Sequence, residues 1–319
     1  MPGDAVNVSL IVVRAIHFVA TAITVGVLIF RAVVAQPALH STGAARILAI
    51  GQMIVRAAWI GLAVTVASGA AWVLLQAAAM SGLPLGEAAT RDILSTVVTE
   101  TQFGMVSEIR VALAIVLAAC LSYDRLPLAQ PLALASGLGL VAGIAWTGHA
   151  GSSVGDIGNV HVTADALHLI AAAAWLGGLV PFALLLAEAR RNQDHAWASL
   201  ASQAAWRFSS LGMVSVGTIL ATGIVNAWIL VGSFKGLFAT EYGWLLMLKM
   251  FFFMIMLAFA AINRFWLTPD LALPPDNEAR LKAVRRLTRN SGIEIAFGLA
   301  IFAIVGVLGT LHPAVHLAN

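Results

Sequence analysis

Residues Trp146 to Gly178 read WTGHAGSSVGDIGNVHVTADALHLIAAAAWLGG. An apolar run ends in Thr147-Gly148-His149. A short Gly- and Ser-rich connection without Lys or Arg follows, and a second apolar run opens with His161, Asp165 and His168. On a helix, side chains three and four positions apart share a face, so these three residues form one polar stripe, which Trp175 continues two turns on. Two long apolar helices joined by a short hairpin, with imidazoles at its mouth, predict a membrane helix pair carrying an outward-facing metal site.

The rest of the chain agrees with a membrane setting. Of 319 residues, 60% are hydrophobic and only 10% charged, and the mean hydropathy is +0.92. Soluble domains carry roughly 25% charged residues, so a soluble enzyme or a nucleic-acid-binding module is excluded. Apolar segments at 8–30, 47–78, 103–122, 130–149, 162–187, 208–232, 243–265 and 292–311 predict about eight transmembrane helices, each able to cross ~30 Å of hydrocarbon. The first run carries Arg14 and His17 and is too long for a signal-peptide core, so it is expected to remain as a span. Cys120 is the single cysteine, inside an apolar run, which rules out an intrachain disulfide and a cysteine metal cluster.

Basic residues orient the spans. Arg31, Arg46, Arg125, Arg190, Arg191, Arg207, Arg264, Arg280, Lys282, Arg285, Arg286 and Arg289 fall in alternate connections, and the opposite ones hold Arg91 and Lys235. The positive-inside rule then puts both termini in the periplasm of a bacterial inner membrane. In the longest inner connection, Pro274-Pro275-Asp276 predicts a helix start, and the basic run after Glu278 a short helix lying on the anionic leaflet.

The second half repeats the first. Ala15-Ile-His17 aligns with Ala166-Leu-His168, and each His precedes a Gly, Gly26 or Gly177, by nine residues. Thr101-Gln-Phe-Gly104 aligns with Thr240-Glu-Tyr-Gly243, Arg110 with Lys249, Asp124-Arg125 with Asn263-Arg264, and Thr147-x-His149 with Thr310-x-His312. The expected architecture is all-α, two parallel four-helix repeats related by an axis along the membrane normal. Residues 1–128, completed by the span in 129–150, make the first repeat and 151–319 the second.

The paired polar residues define the candidate site. His17, His149, His168 and His312 are expected as metal or cofactor ligands, with His161, His316 and Met105 as weaker candidates. His40 and His195 fall on the opposite side and are read as bystanders; Met213, Met247, Met250 and Met254 are read as packing residues. Arg14 and Asp165 occupy equivalent places with opposite sign, which predicts an ion pair between the halves. Arg110 and Lys249 are expected to snorkel outward, and Glu294 to sit at the start of the last helix, where a carboxylate meets the helix dipole.

These blocks resemble a known family. Arg207-Phe-Ser-Ser-Leu, Thr222-Gly223-Ile-Val-Asn226-Ala, Thr240-Glu-Tyr-Gly243 with Lys249, Asn263-Arg264-Phe, Gly148-His149-Ala and His168 with Trp175-Leu-Gly-Gly178 are similar to the bacterial copper resistance protein D (CopD) family, over about residues 146–266. The resemblance implies an inner-membrane protein of copper homeostasis and resistance. Such a protein would move copper, Cu(I) or Cu(II), from periplasm toward cytoplasm with a separate periplasmic carrier of the CopC type as partner. His149 and His168 are the ligands it carries over. No phosphate loop or phosphorylation motif points to an ATPase motor. In this reading Asp165 orients the His168 ring through its second nitrogen. Two other readings fit the same residues. One is a b-type electron carrier with bis-His haem, Gly26 and Gly177 making room for the macrocycle. The other is a copper sensor or scaffold across which no ion passes.

Overall fold

A computed structural model describes residues 2–39, 44–192, 194–272 and 277–316 of the chain. His40 and Pro274-Pro275-Asp276, the expected helix start, lie outside the described residues, as do the side chains of His195 and His316. Among the described residues, eight helices are long and apolar enough to cross a membrane: α1 Val8–Leu39, α2 Arg46–Ser81, α3 Gln102–Ser122, α4 Ala129–Thr147, α5 Gly155–Asn192, α6 Ala196–Val231, α7 Glu241–Leu271 and α8 Leu281–Leu308. The protein is an all-α, multi-pass membrane protein.

Burial ranks the spans. In their most apolar windows α1 and α5 are 72% and 61% buried and α7 only 6%, so α1 and α5 are the central pair and α7 is a lipid-facing wall. Glycine permits the central crossing. A Cβ on Gly26 would run into the backbone of Gly177 and the Ala173 carbonyl, and one on Gly177 into the Ala22 carbonyl. Backbone therefore meets backbone here, as small residues allow between membrane helices. The space expected for a haem macrocycle at these glycines is filled by the partner helix.

Corresponding helix starts are built alike. Thr101 and Thr240 each accept a hydrogen bond from the backbone N–H three residues on, Gly104 and Gly243, both at 3.0 Å. This is the N-cap that a hydroxyl provides at a helix entrance. A side chain at Gly104 would strike the Val97 carbonyl and one at Gly243 the Leu237 carbonyl, because the short outer helices Arg91–Glu100 and Phe234–Ala239 end against them.

At the opposite end of the bundle, Arg31 makes a two-pronged pair with Asp124 at 2.5 and 2.7 Å, tying α1 to the end of α3. Asp194 caps α6 through the Trp197 N–H at 2.7 Å and pairs with Arg46 at 2.6 Å. The Trp197 N–H and Arg46 together hold the Asp194 carboxyl below its ordinary range.

Three expectations change. Helix α5 begins at Gly155, not near 162, and the last helix runs unbroken from Asn277 to Leu308. The basic stretch after Glu278 is thus the first turns of α8 and no separate surface helix, since no proline interrupts 277–308. Glu294 consequently lies deep inside a helix, and the explanation from a helix N-terminus does not apply.

Candidate metal-handling centre

In the second half the centre is built on α5. His168 Nδ1 lies 3.0 Å from Thr222 Oγ1 on α6. The Thr222 hydroxyl hydrogen is already committed to the Thr218 carbonyl at 2.6 Å. Thr222 can therefore only accept, so His168 carries its proton on Nδ1 and presents the Nε2 lone pair, the form that binds a metal. One turn outward, Asp165 accepts a hydrogen bond from Asn226 Nδ2 at 3.1 Å. Lys249 on α7 is within electrostatic reach of both Asp165 and His168, and Tyr242 of Asp165. Gly223 leaves room for the imidazole, whose Cε1 would stand 3.6 Å from a Cβ there.

The first half holds the same construction with different chemistry. His17 Nδ1 lies 3.0 Å from Ser68 Oγ, whose hydrogen goes to the Val64 carbonyl at 2.6 Å. Gly69 lies under the ring as Gly223 does under His168, a Cβ there standing 3.2 Å from Cε1. His17 Nε2, however, faces Arg110 Nη2 at 2.6 Å, and Arg110 Nε also donates to the Leu140 carbonyl at 3.1 Å. Arginine only donates, so the His17 lone pair is occupied. Where the second half has Asp165 against Asn226, the first has Arg14 with its guanidinium 5.3 Å from the Trp72 ring and 5.8 Å from Phe18. Trp72 in turn lies 5.3 Å from His17, so the chamber is filled by rings.

A third group sits at the outer mouth. His149 Nε2 lies 3.4 Å from the Leu308 carbonyl, and its ring is 6.3 Å from Tyr242. Burial holds His149 below the ordinary imidazole range; the Leu308 carbonyl opposes this, and the charges of Arg14 and His312 add to it. His161 is buried, within electrostatic reach of His149, with Nδ1 2.8 Å from Ser153 Oγ.

The structure thus separates residues expected to converge. His17, His168 and the His149–His312 mouth are different places, and among the described residues no three His, Cys, Asp or Glu side chains form a metal-holding group. Arg14 does not meet Asp165; its Nη1 donates to the Gly309 carbonyl at 3.0 Å, joining α1 to the end of α8. Arg110 is buried and bonded inward and does not snorkel. Thr222, not Asp165, holds the second nitrogen of His168. Met105 is half exposed on the first turn of α3. Ser68, Trp72 and Asn226 join these groups without having stood among the expected site residues. Extending the repeat to the second and sixth spans exposes them, since Ser68-Gly69 and Trp72 stand in the same spacing as Thr222-Gly223 and Asn226.

Residues 4–159 match the model of the copper resistance protein D-like N-terminal domain, and residues 202–308 that of copper resistance protein D. The first half is therefore a recognised part of the family in its own right. Copper resistance protein D of Pseudomonas syringae pv. tomato is 32% identical over 80% of this chain and 82% of its own length. Inner membrane protein YebZ of Escherichia coli is 33% identical over 76% of this chain and 82% of its own. Copper transport protein CutJ of Bacillus subtilis is 33% identical over 54% of this chain, which is 29% of that larger protein. The chain belongs to the copper resistance protein D family and is a multi-pass protein of the bacterial inner membrane.

Proposed function

We propose that this protein passes copper from the periplasm toward the cytoplasm through its second half, with His168 Nε2 as the principal ligand. The two halves are read as parallel four-helix repeats, residues 1–150 and 151–319, with both termini periplasmic. His149, His161 and His312 form the outer mouth, where copper arrives from a periplasmic carrier of the CopC type. Imidazole nitrogens serve both copper oxidation states, and the Asp165 carboxylate suits Cu(II).

The observation that carries this reading is the hydrogen-bond direction at Thr222. It fixes His168 with an open lone pair one turn from a carboxylate inside a span. An ionisable cluster at such depth marks an ion or substrate route. Lys249 serves as the resident counter-charge to Asp165, displaced as copper enters. In the first half Arg110 occupies the equivalent lone pair, so His17 is a structural histidine and not a ligand. The bis-His haem reading loses support, because the crossing at Gly26 and Gly177 is backbone on backbone.

Copper accumulation by cells expressing the chain tests this. The His168→Ala variant, inserted at wild-type level, is expected to lose accumulation; uptake at the wild-type rate would remove the site assignment.

A further inference from the structure

Two turns along α5 from His168, on the arginine-rich side, Trp175 lines a cavity of about 350 Å³ enclosed by α5, α6, α7 and α8. Most of its wall is apolar, and Glu294 of α8 is on it. Glu294 is 2% exposed, and its Oε1 accepts from Asn263 Nδ2 at 2.6 Å. Asn263 Oδ1 accepts in turn from Asn290 Nδ2 at 2.9 Å. Ser291, also on the wall, is fully buried with its hydroxyl unpartnered.

Among the described residues no cation answers this carboxyl. The other charged wall residue, Arg264, donates to Ser209 at 2.8 Å and lies over the Trp206 ring at 5.1 Å. Among the described residues no ion pair reaches Glu294. Helix α5 contributes Trp175, Leu179 and Phe182 to the wall, none of them charged, and α6 adds the neutral Ser209. Helix α1, which also packs on α8, has its charged ends bound to Gly309 and Asp124. A carboxylate left alone inside a span must be neutralised by a proton or by a bound cation.

The donor set chooses between them. A hard metal ion wants about six oxygens, whereas on this wall Ser209 Oγ already accepts from Arg264, Asn263 Oδ1 from Asn290 and Glu294 Oε1 from Asn263, which leaves Glu294 Oε2 and the Thr268 and Ser291 hydroxyls. Arg264 on the same wall repels a metal cation. Copper finds no imidazole or thiolate among these wall residues. A proton needs one lone pair, and Glu294 Oε2 supplies it. Two helices change pitch at this point, with π-helical turns at Ala173–Gly177 and Asn263–Leu267, a distortion frequent at functional sites. Half-exposed Met213 and exposed Phe265 stand at the rim.

We infer that Glu294 is a proton-binding site of this cavity, taking a proton from water on Oε2 and returning it to water on the same side. The site is distinct from the histidine centre and does not depend on copper. An infrared pH titration of the full chain in liposomes, without copper, tests it. A protonated-carboxyl stretch is expected at neutral pH that disappears only on alkaline titration. It should be lost in Glu294→Gln, moved in Glu294→Asp and kept in Asp165→Asn. A neutral-pH spectrum lacking that band, a band unchanged in Glu294→Gln, or one abolished by sodium at constant pH would overturn the assignment. Should Glu294→Gln fail to insert, the Glu294→Asp shift decides alone. Because no copper is present, neither outcome touches the transport reading.

Discussion

The two halves of the molecule place a histidine, a hydroxyl on the neighbouring helix and a cation on the next in one arrangement, yet only one leaves the imidazole free. In the first half Arg110 donates to His17 Nε2 at 2.6 Å, and Arg14 lies among the Trp72 and Phe18 rings. In the second, Lys249 stands near His168 and Asp165 bonds Asn226. Arg110 for Lys249, Arg14 for Asp165 and Trp72 for Asn226 separate a ring-filled chamber from a polar one. The difference teaches that two similarly built halves can differ in whether the imidazole keeps a lone pair free. A forked guanidinium locks a lone pair, whereas a flexible amine can yield it.

The sharpest way to break this comparison is to remove each histidine in turn. His168→Ala is expected to reduce copper accumulation by at least about 100-fold, the upper end of what loss of an outer-shell partner costs. His17→Ala is expected to keep transport per folded molecule but to lower stability by about 3–5 kcal/mol, because it leaves the buried Arg110 guanidinium without its acceptor. Thermal unfolding in detergent beside uptake separates the two. Equal transport loss in both variants would end the distinction between brace and route.

Exchanging the cations sharpens it further. Lys249→Arg is expected to close the second chamber, its fork reaching His168 Nε2 as Arg110 reaches His17, with uptake falling about 10–100-fold. Thr222→Val removes the acceptor that fixes the His168 tautomer and should cost about tenfold. A Lys249→Arg protein with unaltered uptake would show that Nε2 is not the working atom.

The central crossing is common to both halves and gives a middle-sized effect. Gly26→Ala or Gly177→Ala places a methyl against backbone, and overpacking of this kind costs about 1–3 kcal/mol, read as a lower melting temperature.

The smallest effect concerns pH at the mouth. Burial lowers the His149 value below that of the unfolded chain, so between the two values the unfolded state binds more protons. Stability therefore falls as pH drops through the ordinary imidazole range, and His149→Gln should flatten that slope in a melting series. An unchanged slope would place His149 in water.

Much of this was legible in the sequence. Eight apolar runs are enough for the all-α membrane fold, and the His17/His168 and Arg110/Lys249 correspondences pick out residues that stand near one another within each half. Hydrogen-bond direction was not legible. Whether Arg110 turns out to water or in to His17 depends on how closely α3 and α4 pack, and Gly143, against whose Cβ position the Arg110 chain lies at 3.2 Å, lets it fold inward. Opposite charge misled at Arg14 and Asp165, because equivalent positions in parallel repeats stand apart unless they lie on the axis. Glu294 was not legible for a different reason: the basic run expected as a separate short surface helix is continuous with the last span, which places Glu294 well inside that helix and not at its start.

Copper binding by the purified chain tests the central claim most directly. Titration with a competing Cu(I) chelator in detergent should give one equivalent lost in His168→Ala and none lost in His17→Ala. Loss of that equivalent in His17→Ala, with His168→Ala binding as the wild type does, would contradict the account.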